Sequence, residues 1–254
     1  MSLPTLLCLH GWTMDGSLFA DLARRLEGRA QVLAPDLPGH GGCDPQYAAT
    51  LEGCSAFIKA QLEEIQGPVV LLGWSMGAAA TWRYLQDHGQ ARVAGLITVD
   101  MSPRITCTPD WPLGLKGQSE ARIAAATARF AADWHASAPV LAKGMFAEGR
   151  NLRDVPCASE LIAKIRAQDP QKMVQMWRSL IEMDARPLIP SLTLPWSLFA
   201  GVRSRVYPLA VADWLKSQAP QATPEVFEAS GHSPLLEEPE AFAQSVAAFL
   251  ARIG

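Results

Sequence analysis

The chain has 254 residues, 49% of them apolar and 19% charged, with a formal net charge of −3. This is the balance of a soluble globular protein with a large core, and it gives no overall case for nucleic acid or an anionic membrane as partner. No apolar run approaches the roughly 18 residues of a membrane helix, the start MSLPTLLCLHGW has no basic leader or cleavage site, and five scattered cysteines without a CxxC pair read as reduced thiols of a cytoplasmic protein rather than as metal ligands.

Short, nearly continuous apolar runs alternate with helical patterns along the chain. The first predicted strand, residues 5–9, leads into Leu9-His10-Gly11-Trp12. A helix over 17–26 and a strand over 31–34 follow, and then the turn PGHGGCD with His40 near the site entrance. A helix over 50–65 precedes the strand 69–73, which runs into Gly73-Trp74-Ser75-Met76-Gly77 and a helix over 76–88. The next strand, 95–99, ends at Asp100. Residues 104–186 break the alternation with helices at 119–135, 159–168 and 170–183. A strand at 196–200, a helix at 207–218, a strand at 225–228 and a helix at 239–252 complete the chain. Strands buried on both faces and separated by helices imply an α/β fold, a doubly wound and mainly parallel sheet of about six strands. The expected division is a core of 1–103 and 187–254 with a helical cap, 104–186, inserted between its halves. The cap holds 12 Lys/Arg against 9 Asp/Glu, a net +3, and the remainder carries −6.

Three features point to chemistry. The G-x-S-x-G pattern between a buried strand and an Ala-rich helix predicts a sharp turn that lifts the Ser75 hydroxyl above the strand ends. The loop after the first strand predicts a backbone N–H at Trp12 opposite that of Met76, two donors for the oxyanion of a tetrahedral intermediate. His232, in ASGHSP between the last strand and the last helix, falls on the same carboxyl edge and suits the role of base for Ser75. His10 reads as a brace for its loop. His88 sits at a helix end and His135 in the cap.

LHGW, APDLPGHGGCD, LLGWSMGAA and EASGHSPLLEEPEAF together resemble the α/β-hydrolase family in order and over nearly the whole chain. Within it, SPRITCTPDWPLGLKG and MDARPLIPSLTLPW are similar to capped carboxylesterases, including those that cleave carrier-protein-linked methyl esters such as the pimeloyl ester. The resemblance implies a serine hydrolase with a Ser-His-Asp triad and an acyl-enzyme, no cofactor and no metal. It also implies a small-molecule or carrier-bound acyl ester as substrate, with an acidic acyl carrier protein as a possible partner of the basic cap. Thioester or C–C bond hydrolysis on the same triad remains open, as does a non-catalytic ligand-binding protein on the same fold.

Two departures stand out. Only four residues precede the first strand, so the two antiparallel strands with which the family usually begins have no place here. The family's usual acid position, in G-x-x-D-x-x-x-P after the next-to-last strand, holds Ser204. Glu228 is too close to His232 in sequence, Asp36 suits the PGHGG turn and Asp213 lies inside a helix. Asp100 is at the alternative acid location known in the fold, with an Asx turn before Ser102-Pro103 as its other reading. Ser204 is then an auxiliary partner of Asp100 or His232. Trp12, Trp111, Phe130, Trp134, Met145 and Phe146 are the candidate walls of an acyl pocket.

Overall fold

The computed structural model describes residues 3–253. Six strands form one all-parallel sheet in the order β2-β1-β3-β4-β5-β6. They are β1 (Thr5–Leu9), β2 (Gln31–Leu33), β3 (Val69–Trp74), β4 (Val93–Val99), β5 (Trp196–Gly201) and β6 (Ala222–Phe227). Every residue of β1, β3 and β5 is buried, as a strand covered by helices on both faces requires. The covering helices are α1 (Ala20–Arg25), α2 (Leu51–Glu64), α3 (Met76–His88), α8 (Ala210–Gln218) and α10 (Pro239–Ile253), with the single turn α9 (Pro234–Glu237) leading into the last. Between β4 and β5 the chain builds α4 (Glu120–Ala132), α5 (Trp134–Gly144), α6 (Ala158–Ala167) and α7 (Pro170–Glu182).

The register fixes where chemistry can sit. Leu9 pairs with Gly73, Trp74 with Val99, Val99 with Phe199 and Gly201 with Phe227. The carboxyl ends of the five longer strands therefore finish at one edge. The strand order reverses between β1 and β3, and a crevice opens at such a reversal.

Three of the differences from the sequence reading have a local cause or bear on the site's surroundings. The helix expected over 119–135 is two, broken at Asp133, whose carboxylate caps α5 by accepting the Ala136 N–H at 2.9 Å. An Ala-rich run hides this break, because an aspartate in it reads as an ordinary exposed position. The last strand starts three residues early, at Ala222, and contains Pro224. A proline is tolerated there because β6 is an edge strand. The helix expected from 207 starts at Ala210.

Candidate active site

The elbow after β3 is tight for a steric reason. A Cβ at Gly77 would meet the Leu9 carbonyl oxygen at 2.0 Å, and one at Gly73 would meet the Ala78 backbone at 2.5 Å. Small residues on both sides let α3 start immediately against β1 and β3. Ser75 itself takes φ 52°, ψ −117°. Among the described residues three non-glycine positions have positive φ: Thr13, Ser75 and Asp100. Each follows a different strand, β1, β3 or β4, at the same edge. Strained backbone of this kind persists where surrounding structure enforces it, and it concentrates at functional sites.

Asp100 and His232 meet. Nδ1 of His232 lies 2.6 Å from Oδ2 of Asp100, and both side chains are nearly buried. The Ser204 hydroxyl donates to the same Oδ2 at 2.6 Å. Its oxygen accepts from the N–H groups of Val206 and Tyr207, at 3.1 and 3.3 Å. Ser204 thus ties the carboxylate of β4 to the loop after β5. The indole of Trp74 donates to the His232 carbonyl at 2.8 Å, so the residue just before the serine also holds the histidine loop. From the other side the buried carboxylate of Glu237 accepts from Gly231 N–H at 2.7 Å and from Ala147 N–H at 2.8 Å.

Ser75, Met76, Trp12 and His232 line one cavity of about 560 Å³. Among the described residues the Ser75 hydroxyl makes no hydrogen bond, which leaves it open to the cavity. Met76 is the first residue of α3, where an N–H has no intrahelical acceptor. The Trp12 N–H likewise has no protein acceptor among the described residues. Two free donors thus stand on the serine's cavity.

The other histidines have different work. His10 is buried, accepts the Leu37 N–H at Nε2 (2.8 Å) and sits 2.9 Å from the Gly11 carbonyl through Nδ1. His40 does not stand at an entrance. Its Nε2 accepts the Thr13 N–H at 3.1 Å, beneath the Trp12 loop. Burial pushes the pKa of His10 down and that of His40 to about 3, so both brace the loop as neutral rings.

The cavity wall is partly as expected. Trp12, Phe130 and Met145 line it, and Trp111, Trp134 and Phe146 do not. Trp111 is spent elsewhere: its N–H goes to the Arg104 carbonyl and its ring packs edge-on against Trp214 at 4.9 Å. Trp134 bonds the Ile165 carbonyl and packs behind Trp12, and Phe146 is buried in the core. The sequence reading missed Trp177 and Leu180, which face the cavity from α7. Their signal was the spacing Met173, Met176, Trp177, Leu180, an apolar stripe at helical period. The Trp177 ring stacks on Trp12 at 5.1 Å, and the Trp12 indole donates to the Met173 carbonyl at 3.1 Å.

A family model described as the alpha/beta hydrolase family matches residues 6–245. The chain belongs to the alpha/beta hydrolase family. This hydrolase is 27% identical over 247 residues to a pimeloyl-[acyl-carrier protein] methyl ester esterase of Vibrio vulnificus, covering 97% of this chain and 94% of the relative. It is 29% identical over 251 residues to the protein of the same name from Aromatoleum aromaticum, covering 94% and 95%. Among solved structures, an esterase from Exiguobacterium antarcticum superposes with a TM-score of 0.90 at 23% identity, covering 98% of this chain and 92% of that one. A bromoperoxidase from Bacillus anthracis gives the same score and coverage at 18%. Such likenesses establish the fold. Among the described residues no helix is long and apolar enough to cross a membrane, and no three His, Cys, Asp or Glu side chains gather as metal ligands would.

Proposed function

We propose that this hydrolase cleaves carboxylic esters through Ser75, His232 and Asp100. The observation that carries the reading is the His232–Asp100 contact at 2.6 Å, on the cavity that also holds Ser75. His232 Nε2 takes the Ser75 proton as the hydroxyl oxygen attacks the ester carbonyl. The N–H groups of Trp12 and Met76 receive the oxyanion. Collapse expels the alcohol, which leaves with the proton from His232, and the acyl group remains on Ser75. Water then attacks by the same route and releases the acid. Asp100 accepts a hydrogen bond from Nδ1–H throughout and stays ionised, which holds the tautomer and offsets the imidazolium charge.

The names of the relatives carry the reading one step further, to a methyl ester on an acyl chain borne by an acyl carrier protein, with residues 104–186 as the cap that meets it. The net positive charge of that segment supports an acidic partner. A fluorophosphonate probe tests the chemistry: Ser75 becomes labelled, and Ser75→Ala removes both labelling and ester turnover. A wild-type Ser75 inert to the probe refutes it and favours a ligand-binding role. Carrier-linked methyl esters, free esters and thioesters compared side by side test the substrate. If substituting arginines of residues 104–186 leaves the carrier-ester rate unchanged at low salt, the carrier reading fails.

A further inference from the structure

The cavity lining holds four cations, Lys116, Arg122, Arg129 and Arg205, and not one aspartate or glutamate. In a chain of net charge −3 this is a local reversal. None of the four forms a salt bridge among the described residues. Arg122 and Arg129 are both exposed, two turns apart on α4. Lys116, itself exposed, and the half-buried Arg205 stand beside the loop that carries Ser204. The ammonium of Lys116 donates to the Ser204 carbonyl at 2.6 Å, and Arg205 is the next residue. Arg205 is under-satisfied. Its Nη2 reaches the Ala147 carbonyl at a long 3.3 Å, and its Nε is buried with no partner among the described residues. A half-buried guanidinium held so weakly is costly unless something else accepts from it. A planar carboxylate matches that fork better than any neutral group does.

We infer that the Arg205–Lys116 pair is a carboxylate subsite, and that the enzyme, besides any carrier-borne ester, acts on small free hemiesters of dicarboxylic acids, whose acyl chain ends in an unesterified carboxylate. The inference rests on the esterase reading above and adds a substrate class to it. The apolar wall from Phe130, Met145 and Leu180 takes the methylenes between the two ends. Arg122 and Arg129 supply the long-range field that draws an anion to the mouth.

The test compares monomethyl adipate with methyl hexanoate, which match in chain length and leaving group and differ in the terminal carboxylate. The wild type prefers the hemiester by about tenfold or more in kcat/KM, the scale of one hydrogen bond to a charged group. The preference shrinks in high salt and collapses toward one in Arg205→Gln. Arg205→Lys keeps the charge without the fork and retains part of it. The exposed double variant Arg122→Gln/Arg129→Gln lowers the preference through KM and increases its insensitivity to salt. Equal turnover of the two esters by the wild type overturns the inference while leaving the esterase reading standing. So does a preference that survives Arg205→Gln, or hemiester rates no better than neutral ones where carrier-linked esters are fast. Turnover of neither ester, with Ser75 inert to the fluorophosphonate, fails the esterase reading instead.

Discussion

At the scale of single residues the site is a set of strained positions held by hydrogen bonds. Asp100 stands at φ 44°, and its Oδ2 is shared between His232 and Ser204. Asp100→Asn keeps the shape and presents the wrong partner to Nδ1. We expect a folded protein with turnover lowered by up to ~10⁴-fold, as the tautomer argument requires. Ser204→Ala removes one neutral donor and costs about tenfold at most in kcat; both follow from steady-state rates on one ester. The buried histidines give a second prediction, in pH. His10 and His40 stay neutral in the fold, with His40 held at about 3 against an ordinary value of 6.5. Below 6.5 the unfolded chain takes up protons that the folded chain refuses, so unfolding gains ground as pH falls. Their contribution is fully present above about pH 7 and is lost steadily toward pH 3. Urea midpoints across that range show it, and His40→Asn flattens the acid limb.

At the scale of elements, the ends of the five longer strands each carry one part of the candidate site, and loops from opposite ends of the chain clasp one another. The histidine loop is gripped twice, by Trp74 on one side and by Glu237 on the other. The Glu237 side chain is only 1% exposed and serves two backbone N–H groups, one of them Ala147 in the segment between β4 and β5. Glu237→Ala leaves both donors buried and unpaired, which costs about 2–4 kcal/mol of stability; Glu237→Gln, which keeps one acceptor, costs less in the same denaturation experiment. This clasp was not legible in the sequence. Glu237 sits in LLEEPEAF beside Glu238 and Glu240, and only the packing selects it as the buried one. By contrast the strands could be read well, since continuous apolar runs have one stable use in an α/β sheet. The gathering of Ser75, His232 and the two loops at one edge followed from where those runs end. The contact of Asp100 with His232 was legible only through the serine at 204. The pocket wall was the least legible, because Trp111 and Trp177 look alike in sequence and face different neighbours in space.

For the whole molecule, the reversal of strand order between β1 and β3 sets the crevice, and residues 104–186 supply much of its far wall. The Trp12–Trp177 stack and the Trp12–Met173 hydrogen bond join the two. Trp177→Ala removes the stacking partner of the residue whose N–H is the proposed oxyanion donor. We expect kcat to fall several-fold even on an acetate ester too small to touch the wall, with KM little changed. A wall that only sorted substrates would give the opposite pattern. The same stack has a consequence for how such a protein can diversify. In many enzymes a specificity segment can be exchanged like a cartridge while the reaction centre keeps its rate. Here a transplanted segment that lacks an aromatic ring at position 177, or that does not bring the backbone carbonyl of position 173 against the Trp12 indole, arrives with a slackened Trp12 loop. New substrate ranges are then reached by point changes around a fixed indole pair, and recombination of whole segments yields folded but sluggish chimeras.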